Sequence, residues 1–142
     1  MIKKYPLIAF CFAALLLFFT GCQADDSQLE ESPAQKRPDS ENGVTIKTEK
    51  AKYPTTVKTI VVEIQNDSNE EYMTGAHVFL EKKVEGLWRK IPMKAESFTE
   101  EGIIHPKLSS LDLNVNDLKY ELTPGEYRAT IGGLAAPFKV VE

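Results

Sequence analysis

The chain contains the stretch Leu122-Thr123-Pro124-Gly125-Glu126-Tyr127-Arg128-Ala129-Thr130-Ile131, in which turn residues lead directly into an alternating apolar and polar pattern. Pro124 and Gly125 are residues that a tight turn selects, because proline fixes its own φ and glycine tolerates a positive φ. After the turn, every second residue from Tyr127 to Ile131 is apolar. A period of two is typical of a strand with one buried face. The stretch therefore predicts a turn followed by a half-buried strand.

Tyr127 is predicted to have a structural role near the start of this strand. Its ring would lie in the core, and its hydroxyl would bind the backbone a few residues upstream, as in the tyrosine corner of β-sandwich domains. Pro124 and Gly125 would close the turn that precedes it. We therefore interpret Tyr127, Pro124 and Gly125 as structural residues and not as catalytic ones.

The same alternation recurs along the 99 residues from Val44 to Glu142. It is clearest at residues 44–48, 60–64, 111–115 and 138–140. Turn-type residues separate such stretches at Asn66-Asp67-Ser68-Asn69, at Glu85-Gly86 and at Gly132-Gly133, and we interpret the last two as hairpin turns. About six or seven strands at roughly ten-residue spacing predict a single all-β domain over residues 44–142, folded as an antiparallel β-sandwich.

The first 22 residues resemble a bacterial lipoprotein signal sequence. They begin with Met1-Ile2-Lys3-Lys4, continue with thirteen apolar residues from Leu7 to Phe19, and end in Phe19-Thr20-Gly21-Cys22. Such an apolar run is too short to cross about 30 Å of hydrocarbon but suits a cleaved signal peptide. The resemblance implies removal of residues 1–21, diacylation of Cys22 with fatty acids such as palmitate, and location at the cell membrane on its extracytoplasmic side.

Two acyl chains on Cys22 would anchor the protein stably to the membrane, whereas a single chain is marginal. The alternative is that Cys22 is a free thiol that follows an ordinary secretory signal. The other cysteine, Cys11, lies within the predicted signal peptide. The mature chain would therefore form no internal disulfide and would depend on its core for stability.

Residues 22–43 are predicted to be a flexible acidic linker that begins with the lipidated cysteine. Residues 23–43 contain six acidic and two basic side chains and no aromatic residue, so they offer little apolar area to bury. As a free coil the segment would span about 25 Å on average. Removing Lys3 and Lys4 with the signal peptide leaves 15 basic and 21 acidic side chains, a net charge of −6. This charge disfavours nucleic-acid binding.

The pattern of the domain resembles the immunoglobulin-like domain found in extracytoplasmic proteins of Bacillus and its relatives. The resemblance depends on the segments Val61 to Glu71, Phe79 to Lys82, Glu85 to Pro92 and Leu122 to Arg128. It implies an immunoglobulin-like β-sandwich that serves as a binding or structural module and has no catalytic residues. The stretch Met93 to His105 has no counterpart in the resemblance, and together with the strand edges it is a candidate binding surface.

No group of residues in the domain predicts an enzyme or a metal site. His77 and His105 are the only histidines and lie 28 residues apart, whereas a zinc site usually needs three or four ligands. Ser97, Ser109 and Ser110 lie outside any nucleophile elbow of the Gly-x-Ser-x-Gly type. We therefore expect no catalytic residue, no metal and no cofactor.

The acidic loop from Asp67 to Glu71 leaves two interpretations open. Its carboxylates lie beside Asn66 and Asn69, and oxygen ligands of this kind can bind calcium, although the spacing does not match an EF-hand loop. The same residue types are also those that a β-turn selects for itself.

Trp88 and Phe98 are the candidate partner-binding residues. Trp88 is the sole tryptophan, and its ring could anchor a protein or stack on a sugar, or could simply cover the edge of the core. The leading hypothesis is a lipid-anchored module that binds a protein or envelope partner. The alternatives are a protease inhibitor-like sandwich, similar to the intracellular proteinase inhibitor family of Bacillus, and a cell-wall glycan-binding module that uses Trp88.

Overall fold

The computed structural model of the protein describes residues 26–98 and 101–142, and the predicted signal peptide (1–21) and Cys22 lie outside these residues. The described residues form strands and two short 3-10 turns, at Asp26–Gln28 and Val115–Asp117, and none of them forms an α-helix. Over the same residues we find no helix long and apolar enough to cross a membrane. The strands are β1 (Ser40–Glu41), β2 (Val44–Thr48), β3 (Lys52–Pro54), β4 (Thr59–Asn66), β5 (Tyr72–Gly75), β6 (Phe79–Val84), β7 (Leu87–Lys90), β8 (Gly102–His105), β9 (Leu108–Asn114), β10 (Gly125–Ile131) and β11 (Leu134–Val141).

The strands form two large sheets and a small one. Strands β1, β2, β4 and β9 form a four-stranded antiparallel sheet in that order. Strands β3, β11, β10, β6 and β7 form a five-stranded sheet, in which the short β3 runs parallel to its neighbour β11. Strands β5 and β8 pair with each other and are called the ribbon below. The predicted all-β sandwich is confirmed, with one parallel pair added to the expected antiparallel ones. The described residues form eleven strands and not six or seven, because short strands such as β1 and β3 are too brief to show an alternating pattern.

The core lies between the two large sheets and consists of the apolar residues of the alternating strands. On β4, Ile60, Val62 and Ile64 are buried, while the residues between them are partly exposed. On β10, Tyr127 and Ala129 are completely buried in the same core. The period of two in the sequence thus selects the residues that face inward.

Two hairpins turn on a pair of residues that both have positive φ. Strands β6 and β7 are joined by Glu85 and Gly86, whose φ angles are 53° and 81°, as the sequence predicted for this hairpin. Strands β1 and β2 are joined by Asn42 and Gly43, whose φ angles are 53° and 83°. Asparagine followed by glycine is the preferred pair for such a turn. The paired strands of the domain therefore begin before Val44, at β1.

Residues 26–39, called the strap below, lie across the outer face of the five-stranded sheet. At the edge strand β7, the N–H of Ser32 donates to the carbonyl oxygen of Trp88 at 2.9 Å. On β11, the N–H of Ala135 donates to the carbonyl oxygen of Pro38, also at 2.9 Å. The strap therefore extends from β7 across the sheet to β11.

The structure differs here from the predicted flexible linker. Residues 26–43 pack on the domain through the strap and through the β1–β2 hairpin. The small apolar area of the strap does not predict this packing, because the strap is held largely by hydrogen bonds between its backbone and the sheet, and any residue type can provide those. The linker prediction is therefore wrong for residues 26–43.

Candidate functional site

A groove of about 870 Å³ lies at one end of the sandwich, beside the ribbon. The ribbon contributes Met73 to Gly75 and Gly102 to its lining. His77 and Phe79, on the chain that enters β6, and Phe98, from the stretch after β7, form its aromatic lining, and the acidic residues Glu96 and Glu101 also line it. The structure thus brings the predicted binding residue Phe98 together with Phe79 and His77.

Three aromatic rings form a cluster in this groove. The centroid of the Phe98 ring lies 4.7 Å from that of His77 and 5.2 Å from that of Phe79, and the two phenyl rings are nearly perpendicular at 88°. Because Leu80 faces the core, its neighbour Phe79 must face outward, and it remains 38% exposed. Ring pairs with this geometry contribute more free energy of stabilisation than the burial of their apolar area alone would give. The cluster is therefore a preformed aromatic surface.

The ribbon extends the apolar surface beside the groove. Met73 on β5 lies directly opposite Ile104 on β8, and cross-strand partners point to the same face. Met73 is 61% exposed and Ile104 is 52% exposed. A Cβ atom on Gly102 would lie 2.9 Å from the sulfur of Met73, so the glycine leaves room for that side chain. Adjacent exposed apolar residues of this kind are typical of interaction sites.

Arg37 provides positive charge at the groove. Its Nη1 atom donates to the carbonyl oxygen of Gly132 at 2.8 Å, which holds the side chain in place. Its Nε atom is buried and has no partner within residues 26–98 and 101–142. A carboxylate or a carbonyl oxygen is the partner that such a donor requires. The groove therefore combines an aromatic cluster with the positively charged guanidinium of Arg37.

His105 does not line the groove, and its side chain lies on the buried face of the ribbon beside Thr74. Its Nε2 atom is 2.6 Å from Oγ1 of Thr74, and its Nδ1 atom is 3.1 Å from Oγ of Ser109. Burial lowers the pKa of His105, so the imidazole is neutral at neutral pH. His77 and His105 thus have different surroundings. In the described part of the chain, no group of three or more His, Cys, Asp or Glu side chains could hold a metal ion.

In the acidic loop after β4, the polar side chains form hydrogen bonds with other residues of the same loop. Nδ2 of Asn66 donates to the carbonyl oxygen of Glu70 at 2.9 Å, and the N–H of Ser68 donates to Oδ1 of Asn66 at 3.0 Å. Nε2 of Gln65 donates to the carboxylate of Asp67 at 3.0 Å. Such local bonds are typical of turns built on Asn, Asp and Ser, and they favour the turn interpretation over the calcium one.

Trp88 is half-buried, and its ring contacts side chains of its own domain. The guanidinium carbon of Arg128 lies 4.5 Å from the ring centroid, and Nζ of Lys83 lies 5.9 Å from it. The backbone N–H and carbonyl oxygen of Trp88 both bind the side-chain amide of Gln35. Trp88 does not line the groove. Of the two predicted binding residues, only Phe98 does.

The hydroxyl of Tyr127 forms two hydrogen bonds with the backbone of one upstream residue. It donates to the carbonyl oxygen of Thr123 at 2.6 Å, and the N–H of Thr123 donates back to it at 3.2 Å. The Tyr127 ring is completely buried and stacks on Phe138 with centroids 5.7 Å apart. A Cβ atom on Gly125 would lie 2.9 Å from Cε of Lys82, so a larger residue there would displace the Lys82 side chain. This is the geometry of a tyrosine corner.

Comparison with known proteins agrees with the β-sandwich. The family model of the bacterial Ig-like domain matches residues 40–131. The protein belongs to the bacterial Ig-like domain family. No curated protein and no solved structure shows significant similarity to the chain. The match begins at the first residue of β1, so the strap precedes the matched region of this Ig-like domain.

The strap of the Ig-like domain covers a buried ion pair on the outer face of the five-stranded sheet. Nε of Arg128 donates to Oε1 of Glu81 at 2.6 Å, and only 4% and 6% of the two side chains are exposed. The other guanidinium nitrogens of Arg128 donate to the carbonyl oxygens of Gln35, at 2.9 Å, and Ala34. A buried charge is stable only with such additional hydrogen bonds. The Ig-like sheet and the strap therefore depend on each other.

A second charged cluster holds the first residue of the strap. Nζ of Lys82 donates to Oδ2 of Asp26 at 2.7 Å and to Oγ1 of Thr123 at 2.6 Å. The hydroxyl of Tyr120 donates to Oδ1 of Asp26 at 2.7 Å. Burial raises the pKa of Asp26, but the hydrogen bonds from Lys82 and Tyr120 and the charge of Lys82 outweigh burial and keep that pKa below its usual value. Burial and the bond to Asp26 raise the pKa of Tyr120. Asp26 is therefore ionised and paired.

Sequence reasoning did not identify Phe79, Arg37 or Arg128 as residues of interest. For Phe79 a signal exists, because the period of two that places Leu80 inward places this large aromatic residue outward. Arg128 has the pattern of an ordinary solvent-facing strand residue, and nothing local in the sequence indicates that the strap covers it.

Proposed function

We propose that this protein is a membrane-anchored extracytoplasmic lipoprotein, lipidated at Cys22, whose Ig-like domain binds a protein partner through the groove at His77, Phe79 and Phe98. The observation that favours binding is the preformed aromatic cluster beside the exposed side chain of Met73. Contiguous exposed apolar surface with a polar rim is a feature of protein interaction sites.

The chemistry of the groove indicates the kind of partner. Phe79 and Phe98 would contact apolar side chains, since their rings already stack edge to face and lose little freedom on binding. The guanidinium of Arg37, which lines the groove, would bind a carbonyl oxygen or a carboxylate of the partner. An extended protein segment with apolar side chains and one such acceptor fits these contacts.

The anchoring part of the proposal is supported by Phe19-Thr20-Gly21-Cys22 after an apolar run. Its test is metabolic labelling of cells with a fatty acid. Wild type should incorporate the label and Cys22→Ser should not, while Cys11→Ser, the matched control, should be labelled like wild type. Label that persists in Cys22→Ser would exclude lipidation at this residue.

The binding part is tested by crosslinking cells that contain the full lipoprotein and identifying captured proteins by mass spectrometry. Phe79→Ser and Phe98→Ala should lose a partner that wild type captures. Leu87→Ser is the matched control, because Leu87 is 37% exposed, against 38% for Phe79, and does not line the groove. A partner lost equally in Leu87→Ser and Phe79→Ser would exclude the groove as its site.

Two further assays, wall-polymer binding and protease inhibition, test the alternative functions. If the domain binds wall polymer, and this binding is lost in Trp88→Ala but kept in Phe98→Ala, the function is glycan binding at Trp88 and not partner binding in the groove. Near-stoichiometric inhibition of secreted proteases by the intact domain would replace partner binding with inhibition. Neither alternative explains why three rings cluster at the end of the sandwich away from Leu87.

A further inference from the structure

We propose that the domain is held close to the lipid surface in one orientation, with the end around Asp26 and Tyr120 against the headgroups and the groove at the opposite end. This inference depends on lipidation of Cys22 in the proposed function. It also goes further, because a lipid anchor alone determines neither the height of a domain above the membrane nor its orientation.

Strand β10 defines the two ends of the sandwich. It begins at Gly125 and runs to the turn at Gly132. Asp26 binds to this sheet near the start of β10, through the cluster that includes Thr123, and we call this the anchor-side end. Thr130 and Gly132, at the other end of β10, line the groove, and we call this the groove-side end. The strap thus enters the domain at the end farther from the groove.

Asp26 is fixed firmly at the anchor-side end. Its carboxylate accepts hydrogen bonds from Lys82 and Tyr120, and the side chain of Lys82 is only 7% exposed. Three residues later Leu29 packs against the core, and its carbonyl oxygen accepts a hydrogen bond from Nη1 of Arg89 at 2.9 Å. The start of the strap is therefore part of the folded domain.

The length of chain between the anchor and this fixed point is short. Three residues separate Cys22 from Asp26 in the sequence. Four steps between consecutive Cα atoms span at most about 14 Å, even when fully extended. Strand β10 rises about 3.4 Å per residue, so the groove-side end lies roughly 20 Å farther along the strand. The anchor-side end is therefore the one within reach of the headgroups.

The strap also explains why a long acidic segment does not act as a spacer. If residues 22–43 were a free coil, they would hold the domain about 25 Å from the anchor on average and would allow every orientation. Since residues 26–43 are folded onto the domain, their length does not contribute to the distance from the membrane. The groove then faces away from the lipid and is open to a partner.

Energy transfer to the membrane tests the orientation. The mature protein would contain no cysteine besides the acylated Cys22, so Glu121→Cys and Asn69→Cys each provide a single thiol for a donor dye. Glu121 lies at the anchor-side end beside Tyr120, Asn69 lies in the loop that packs near the β10–β11 turn, and both are exposed. The lipidated protein is inserted into vesicles of phosphatidylethanolamine and phosphatidylglycerol that contain a headgroup acceptor dye. Transfer from position 121 should exceed transfer from position 69.

The double variant Asp26→Ala/Lys82→Met tests whether the charged cluster sets this orientation. Removing both charges avoids leaving a buried ion unpaired, so the fold should persist, as the unfolding midpoint will show. Without this cluster the strap is next held by Arg89, whose Nη1 atom donates to the carbonyl oxygens of Ser27 and Leu29, and by the packing of Leu29 on the core. The extended reach from Cys22 to Leu29 is about 25 Å. The difference in transfer between the two labels should shrink. An unchanged difference would exclude this cluster as its cause.

The matched control is Lys47→Ala/Glu63→Ala, which removes an exposed ion pair on the other sheet, with a nitrogen to oxygen distance of 3.5 Å. It should leave the transfer at both labels unchanged. Protein that does not sediment with vesicles would refute lipid anchoring and with it the proposed function. Vesicle-bound protein with equal transfer at both labels would refute the orientation and leave the anchoring intact.

Discussion

The strap and the ribbon both pack on the sandwich from outside its two large sheets, yet they are held by opposite chemistry. The strap covers the buried ion pair of Arg128 and Glu81. The ribbon encloses a neutral polar contact, in which His105 binds Thr74. Burial of an ion pair is tolerated only when both charges and all their hydrogen bonds are present, whereas a neutral pair depends less on any one partner. We therefore expect the acidic strap to be the more easily damaged of the two by a single substitution.

The largest effect is expected from Arg128→Met. The substitution leaves Glu81 buried without its partner, so the free energy of unfolding should fall by about 3 to 5 kcal/mol. The carbonyl oxygens of Ala34 and Gln35 also lose their donors, so a protease should cleave the strap faster. Urea unfolding and limited proteolysis measure the two consequences.

The control for this prediction is the double variant Arg128→Met/Glu81→Leu. With both charges removed, no unpaired ion remains, and the loss of stability should be smaller than in the single variant. If the double variant were as unstable as Arg128→Met, packing around the strap would explain the loss of stability. The difference between the charged contact under the strap and the neutral contact of the ribbon would then have no consequence.

The sandwich itself could be predicted from the sequence because its signals are local. The period of two selects Ile60, Val62 and Ile64 as inward residues of β4, and Glu85-Gly86 indicates the β6–β7 hairpin. Asn42-Gly43 is an equally strong hairpin signal, but it lies at the end of an acidic, apolar-poor segment whose composition favoured a linker.

The strap and the groove could not be predicted in the same way, because the groups that form them are far apart in sequence. Arg128 lies 93 residues after Gln35, whose backbone oxygen it binds. Because every residue has a backbone oxygen, the residue type at position 35 does not indicate this contact. Phe98 was identified as a binding candidate, but its contact with Phe79 depends on how the stretch after β7 returns to the ribbon. Such contacts are decided by tertiary packing and not by local pattern.

A smaller effect is expected in the ribbon from Thr74→Val. The valine keeps the shape of threonine but leaves Nε2 of His105 without its partner, so the free energy of unfolding should fall by about 1 to 3 kcal/mol. Thr45→Val is the matched control, because its hydroxyl bonds Ser40 at 2.8 Å at the exposed surface. If Thr74→Val lowered the free energy of unfolding as much as Arg128→Met, the ribbon would be no more tolerant of a single substitution than the strap.

Tyr127→Phe tests the corner beside the anchor-side cluster and should have a still smaller effect. The substitution removes two hydrogen bonds to Thr123 but keeps the buried ring, so we expect a loss of about 0.5 to 1.5 kcal/mol in urea unfolding. Tyr53→Phe is the control, since Tyr53 is a buried tyrosine on the edge strand β3, outside the corner, whose hydroxyl accepts from the N–H of Lys50 at 3.2 Å. Equal losses in the two variants would mean that the corner adds no specific stability.

A change of pH should affect the stability of the strap and the ribbon less than these substitutions, because it adds protons and removes no side chain. The pKa of His105 is lowered by burial, so the unfolded chain takes up this proton first, and stability is lost as pH falls below the ordinary value of 6.5. The pKa of Asp26 is also below its usual value, so its contribution is complete above about pH 3.8 and is lost only as pH falls through the lower folded value.

The ribbon should therefore loosen at a higher pH than the strap. Hydrogen exchange of backbone amides measures this directly, with β5 and β8 reporting on the ribbon and Ser32 and Ala135 on the strap. As the pH is lowered, protection in the ribbon should decline below about 6.5 while the strap amides stay protected to below about 3.8. His105→Gln should abolish the first step and leave the second. Loss of protection in both regions at one pH would mean that strap and ribbon unfold as a unit, and the difference in chemistry between them would then have no consequence for stability.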